Sequence, residues 1–267
     1  MNKVEPATKI SGFIDHESEI IGDIKFKESF RIDGIFKGKI LSGKPLAQIA
    51  GKTMIERVYR QVEKANCFSE IIVATDDQRI YDEVAAFGGI AKMTDTKINS
   101  GSERVWSVLA QSDCDAAVNI QGDEPLISEK LIFQIYETLS KKTFAVVSAA
   151  RLNVSYQDFL SKNIIKVVLA ANHQALYFSR SPIPYCEKDF FKGFFQHIGI
   201  YGYTREALKA YMEGEISPLE KTEKLEQLRF LYLGLNITIV LTKYESHGVD
   251  VPADIDKVTS ILKRDHV

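Results

Sequence analysis

Little in this sequence serves cross-linking, metal capture by thiols or membrane insertion. Three cysteines, Cys67, Cys114 and Cys186, are spread over 267 residues. They are odd in number and far apart, which excludes a disulfide framework and a zinc-ligand spacing, so a reducing, cytoplasmic setting is expected. No apolar run approaches the ~20 residues that span a bilayer, and no membrane partner is expected. The opening stretch "MNKVEPATKISGFIDHE" is charged throughout and lacks the apolar centre of a secretory signal. Neither sign of charge dominates: 34 Lys and Arg face 36 Asp and Glu, leaving a net charge of −2. The basic field needed for non-specific nucleic-acid binding is therefore missing, and no nucleic-acid partner is expected. What is present is hydrophobic content, 45% of the chain. That suffices for one domain of moderate size with a small appendage.

From Gly43 onward strands and helices alternate. "TMIERVYRQVEKA" puts Met54, Ile55, Val58, Tyr59 and Val62 on one helical face. "EIIVATDD", "AAVNIQGDEP", "TFAVVSAA", "NIIKVVLA" and "NITIVLT" read as strands. "DQRIYDEVAAFGG", "SEKLIFQIYETLSKK", "EKLEQLRFLYLG" and "PADIDKVTSILKR" read as helices, with Ser128 an N-cap and Gly88 a stop. Repeated strand–helix units predict an α/β fold: a Rossmann-like, mostly parallel sheet with helices on both faces and a ligand crevice at the carboxyl ends of its strands.

Residues 10–41 follow another rule. Apolar residues alternate in short pairs, Ile24/Phe26 and Phe30/Ile32, and Gly12, Gly22, Gly34 and Gly38 punctuate them. Short strands with tight corners are expected, either as β-helical coils or as a hairpin added to the main sheet. The stretches "GDIKF" and "FRIDGIFKGKI" resemble the bactofilins, β-helical cytoskeletal proteins. The resemblance spans about two coils, fewer than the roughly three repeats a solenoid needs to bury its core. Residues 1–42 are thus expected to be an all-β appendage, able to contact bactofilin filaments, and 43–267 the main domain.

Several stretches carry candidate chemistry. "NIQGDEPLI" ends a strand, where Asp123 suits a hard cation such as Mg²⁺ held by one or two carboxylates plus substrate phosphates. The alternative is an ordinary polar turn. In "HGVDVPADI", Asp250 either completes a metal site with Asp123 or merely starts the helix. In "NSGSERVW", Ser102 is a possible cap. Arg104 opposes the helix dipole there, and its guanidinium fork suits phosphate or a base edge. Arg180 stands where Pro182 and Pro184 break a strand, and can fork onto a carboxylate. "HIGIYGY" places His197, Tyr201 and Tyr203 on one face of a strand, as a core histidine or as a polar ligand wall. In "EKLEQLRF", Leu225 and Leu228 are core positions, whereas Glu226 and Gln227 are either surface or site.

The order of these stretches is more specific than any one of them. Gly43–Leu46, "SGSER", "NIQGDEP", "IKVVLA", "ALYFSRSPIP", "HIGIYGY", "LEQLR" and "GVDVPADI" together resemble the 3-deoxy-manno-octulosonate (Kdo) cytidylyltransferases, of the nucleotide-diphospho-sugar transferase type. The resemblance runs from Gly43 to the C-terminus. It implies transfer of CMP from CTP to Kdo, giving CMP-Kdo and pyrophosphate for lipopolysaccharide assembly, and a homodimer. It further implies Mg²⁺ on Asp123 and Asp250, and a phosphate contact by Lys44. Ser102, Arg104 and Gln121 would hold the nucleotide. Arg180, His197, Tyr201, Glu226 and Gln227 would form the Kdo pocket, with Arg180 toward the sugar carboxylate. Ala170 replaces a usual Asp, a change of little expected effect.

One departure matters more. The family opens with an apolar strand and a loop I-P-A-R-x-x-S-x-R-L-P-G-K-P-L, of which only "GKPL" stands here. Counting back from Lys44, Ile35 and Ile40 occupy the positions of the two loop arginines. Lys37 and Lys39 offer charge but no fork. "SFRIDGI" is too polar for a central parallel strand. A sheet weakened near its centre and an incomplete triphosphate site are therefore expected.

Overall fold

The computed structural model describes residues 12–14, 19–21, 24–26, 30–32, 35–37, 40–42, 44–98, 100–249 and 252–265; through residue 42, and at Pro252 and Asp265, it describes backbone alone. Six short strands come first: β1 (Gly12–Ile14), β2 (Glu19–Ile21), β3 (Ile24–Phe26), β4 (Phe30–Ile32), β5 (Ile35–Lys37) and β6 (Ile40–Ser42). The first three pair in parallel with the last three, β1 with β4, β2 with β5 and β3 with β6, in the registers Gly12↔Phe30, Glu19↔Ile35 and Ile24↔Ile40. Parallel pairing of successive coils is β-helical connectivity, not that of a hairpin. Among the described residues none of the six pairs with a strand of the main body. Their side chains, including those that carry the bactofilin resemblance, lie outside the described residues.

Local chemistry then sets the elements of the body. A two-stranded turn, β7 (Gln48–Ile49) and β8 (Lys52–Thr53), leads into α1 (Met54–Ala65). Thr53 caps α1 by accepting from the Glu56 N–H at 3.3 Å, and Asn66 ends it in the left-handed region at φ 46°. Such a cap contributes about 1 kcal/mol. The apolar stripe of α1 is buried as its spacing demands. There follow β9 (Ile72–Thr75), α2 (Gln78–Ala86), β10 (Ile90–Met93), α3 (Gly101–Leu109), β11 (Ala116–Asn119), α4 (Glu129–Ser140) and β12 (Val146–Asn153). Next are α5 (Tyr156–Leu160), β13 (Lys166–Leu169), β14 (Ala175–Ser179), β15 (Phe194–Thr204), α6 (Arg205–Glu213), α7 (Pro218–Glu223), α8 (Gln227–Tyr232), β16 (Ile237–Leu241) and α9 (Pro252–Asp265).

The α/β architecture is the expected one, but the main sheet is mixed rather than mostly parallel. Its order is β14-β13-β15-β12-β16, with β11 also on β15. The long strand β15 runs antiparallel to β11, β12 and β13, and only β12 with β16 is parallel within it. A register shift between Ser148 and Ala149 marks a bulge opposite Gly199 and Ile200. One core packs α3, α6 and α8 against the sheet around Tyr203, Tyr211 and Phe230. A second packs α1 and α4 on the other face around Ile132, Ile135 and Ile198.

Two further features differ from expectation. The helix expected over "EKLEQLRFLYLG" is shorter: Glu223 ends α7, Lys224 takes φ 55°, and α8 begins only at Gln227. The sheet is also divided. β9 pairs only with β10, as a separate parallel pair, and β11 pairs only with β15. Among the described residues no strand joins β9 to β11.

Candidate active site

The carboxyl end of β11 and the first turn of α3 build the site between them. Ser100, not Ser102, caps α3, accepting from the Glu103 N–H at 3.1 Å. Ser102 lies inside the helix, buried, with its hydroxyl 3.2 Å from that of Tyr203. The free N–H groups of Gly101 and Ser102 both donate to the Glu226 carboxylate, at 3.3 Å each. An anion there completes the orphan donors and opposes the positive end of the helix. The break at Lys224 is what turns Glu226 toward α3.

Beside this contact is a cavity of about 160 Å³ lined by Gln121, Tyr201, Lys224, Glu226 and Gln227, with Ser102, Asn119, Tyr203 and Phe230 at its walls. That is below the ~300–1,000 Å³ of drug-sized pockets, and suits one ring-sized polar group. Tyr201 and Tyr203 stack at 5.7 Å between ring centres, and Phe230 continues the stack. Burial pushes both tyrosine hydroxyls well above their ordinary range, so they stay protonated.

His197 stands behind Tyr201, 5.4 Å between ring centres, with Nε2 3.0 Å from Ser148 Oγ. Lying deep among Phe178, Tyr201 and Ser148, it is pushed by burial down to about 3 and is neutral in ordinary buffers. It supports the wall of the cavity and does not line it.

Two residues past Gln121, Asp123 Oδ2 accepts from Lys44 Nζ at 2.8 Å. The Val249 N–H donates to the Asp123 carbonyl at 2.9 Å. Glu124 accepts from Ser246, and from Tyr244 at 3.3 Å. These bonds lace residues 244–249 to the "GDEP" turn, and burial raises the Glu124 carboxyl above its usual range. Asp250 itself lies outside the described residues. Among the described residues there is no cluster of three or more His, Cys, Asp and Glu able to hold a metal.

Neither Arg104 nor Arg180, expected in the site, is among the residues that line the cavity. Arg104 donates to Thr94, reaches the Ile98 carbonyl at 3.2 Å and stands 3.6 Å from Asp76. Arg180 gives its guanidinium to the carbonyls of Glu223, Lys162 and Lys224, and its backbone N–H to the Glu223 carboxylate. In this conformation it braces the α7–α8 break. Lys166, fully buried, donates to the carbonyls of Ser161, Ile164 and Arg180 at 2.7, 2.8 and 2.5 Å. Sequence reasoning passed over Lys166, Asn119 and Glu124. A polar residue opening an apolar run was the only signal for Lys166, and adjacency to Asp123 the only one for Glu124. Among the described residues, no helix is long and apolar enough to cross a membrane.

The cytidylyltransferase family model matches residues 37–237. The chain is 42% identical over 234 residues to the 3-deoxy-manno-octulosonate cytidylyltransferase of Geobacter metallireducens, covering 83% of this chain and 92% of that one. It is 44% identical over 235 residues to the enzyme of the same name from Geotalea daltonii, with the same coverage. Among solved structures it is similar to a CMP:2-keto-3-deoxy-manno-octonic acid synthetase complexed with CTP, at a TM-score of 0.80 and 32% identity, covering 96% of this chain and all of that one. A 4-diphosphocytidyl-2C-methyl-D-erythritol synthase from Anaerococcus prevotii, TM-score 0.56 and 14% identical, shares the fold alone. Site order, fold and relatives agree: this chain belongs to the cytidylyltransferase family, among the 3-deoxy-manno-octulosonate cytidylyltransferases.

Proposed function

We propose that the chain transfers CMP from CTP to the anomeric hydroxyl of Kdo, releasing pyrophosphate, in the cytoplasm and for lipopolysaccharide synthesis. The observation that carries this reading is the cavity bounded by Gln121, Tyr201, Glu226 and Gln227, on the same β11–α4 loop whose Asp123, two residues past Gln121, is held by Lys44. The sugar acid takes the cavity, where Glu226 and Gln227 accept from and donate to its hydroxyls. Its carboxylate lies toward Lys224 and Arg180. The cytidine lies along α3 near Ser102, Arg104 and Gln121. Lys44 and Asp123 then face the phosphates, where the sugar hydroxyl forms a bond to the α-phosphorus and the bond to pyrophosphate breaks.

Asp123 is part-exposed, an oxygen donor beside a strand end, which fits Mg²⁺. Asp123 and Asp250 would hold the ion, and the bond from Val249 to Asp123 supports their proximity. When bound, it would offset charge on the phosphates.

Turnover is expected to be low, since no arginine stands at the two family loop positions, Ile35 and Ile40. One lost preorganised donor costs on the order of 10²–10³ in rate. Pyrophosphate release with CTP, Kdo and Mg²⁺ should rise by at least that factor when the arginine loop is restored. Equal rates would remove the loop argument, and no release from either chain would remove the assignment.

A homodimer is part of the proposal, supported by exposed Leu152 on β12, Val154 just after it, Leu176 on β14, and Tyr185 and Phe190 in the segment before β15. A second, non-enzymatic reading, docking of the N-terminal strands on bactofilin filaments, draws on their parallel pairing. Co-sedimentation unchanged by deleting residues 10–41 would remove it.

A further inference from the structure

Lys166 opens β13 and is fully buried, yet no step of the proposed reaction uses it. An ammonium group has three protons to donate and accepts nothing. Here all three are engaged, by the carbonyls of Ser161, Ile164 and Arg180 at 2.7, 2.8 and 2.5 Å. A cation taken out of water is costly and persists only where its hydrogen bonds are complete. Ser161 ends α5, Ile164 precedes β13 and Arg180 follows β14, so one side chain ties three segments together.

The bonds continue from Arg180 to the cavity. Its backbone N–H and the Ser179 hydroxyl donate to the Glu223 carboxylate at 2.9 and 2.6 Å. Its guanidinium donates to the carbonyls of Glu223 and Lys224 at 2.8 and 3.4 Å, and to that of Lys162 at 3.1 Å. Lys224 takes φ 55° just after α7, and Lys224, Leu225, Glu226 and Gln227 follow one another in the cavity wall. A residue other than glycine keeps such a backbone only where its surroundings hold it. The bonds from Arg180 to the Glu223 and Lys224 carbonyls supply that hold, and Lys166 fixes the Arg180 peptide from behind. The opposite wall differs. Ser102, Asn119 and Gln121 come from α3 and the end of β11. Among the described residues, the side-chain bonds of Lys166, Arg180 and Glu223 go to other segments.

We propose that Lys166 is a positioning residue for recognition of the sugar acid. Through Arg180 and the end of α7 it fixes the arm of the cavity that carries Lys224, Glu226 and Gln227, and it leaves the nucleotide half alone. This rests on the function proposed above.

The test compares the full chain with Lys166→Met, which keeps length and burial but donates nothing, and with Lys166→Arg, which keeps charge and donors. Amide exchange should speed in residues 223–228 of Lys166→Met, with 101–104 and 119–121 at wild-type rates. Lys166→Arg should restore most of the protection. In pyrophosphate release with CTP, Kdo and Mg²⁺, the KM for Kdo should rise about tenfold or more in Lys166→Met while that for CTP stays within about twofold, since a small misplacement of binding groups costs up to ~10². Glu223→Gln, which removes an acceptor at the half-buried far end of the network, should move the same KM in the same direction. It carries the test if Lys166→Met does not fold. In a folded variant, faster exchange over the whole chain, unchanged exchange at 223–228, or equal rises in both KM values each overturn the proposal. A wild-type chain that releases no pyrophosphate would remove the assigned reaction instead, and the exchange pattern alone would then decide whether Lys166 holds the arm.

Discussion

His197 is neutral because burial removes the water that would solvate its cation, leaving Ser148 as hydrogen-bond partner of Nε2. The unfolded chain protonates this imidazole near pH ~6.5, while the folded protein resists protonation down to about 3. Within that window the unfolded state binds more protons, so stability is whole above the unfolded value and falls with acidification. The slope approaches ~1.4 kcal/mol per pH unit. Urea unfolding between neutral pH and about pH 5 should show this loss in the wild type and a shallower one in His197→Gln. Parallel slopes would show that His197 is solvated and titrates freely. The residue scale is also where sequence reading was least sufficient. Glu226 and Gln227 sit between two core leucines, and surface and site were equally consistent with their spacing. The contact of Glu226 with α3 and the burial of Gln227 exclude plain surface for both.

At the scale of elements, the interplay of α3, α7 and α8 determines the cavity. α3 presents free N–H groups, and the left-handed turn at Lys224 brings a carboxylate to them. Removing that charge with Glu226→Gln should lower stability by about 0.3–1 kcal/mol. Glu226→Lys, which opposes the dipole, should lower it further. Denaturant midpoints check both, and unchanged midpoints would show that the carboxylate contributes nothing to the helix. Periodicity made α1, α2, α4 and α9 legible: α1 and α4 bury a full stripe, while α2 and α9 bury one residue each, Val84 and Val258, among half-buried neighbours. It misled at "EKLEQLRFLYLG", where the apolar spacing continues across the break because Leu225 and Leu228 are both buried. Pattern reports which side chains go inward, not whether the backbone between them stays helical.

At the scale of the molecule, the exposed apolar residues point to an incomplete surface. Leu176 is 60% exposed and Tyr185 87% exposed, large values for such side chains. The wild type is expected to sediment as a dimer, and Leu176→Lys with Tyr185→Lys as a monomer of unchanged helix content. A wild-type monomer, or a dimer indifferent to both charges, would place the interface elsewhere or remove it.

The sequence by itself determined the α/β class, the positions of most long strands and of the helices α1, α2, α4 and α9, and the order of motifs that marks the family, because these follow from local periodicity, capping chemistry and residue identity; β10, α5, α6 and α7 carry no pattern strong enough to be read. It also showed that the first strand and its loop do not match. Tertiary structure alone decided that the long strand β15 makes the sheet mixed, that Glu226 completes the start of α3, and that β9 and β11 stand apart. Those outcomes depend on pairings between residues far apart in the chain, and no local pattern encodes which edge a strand will find.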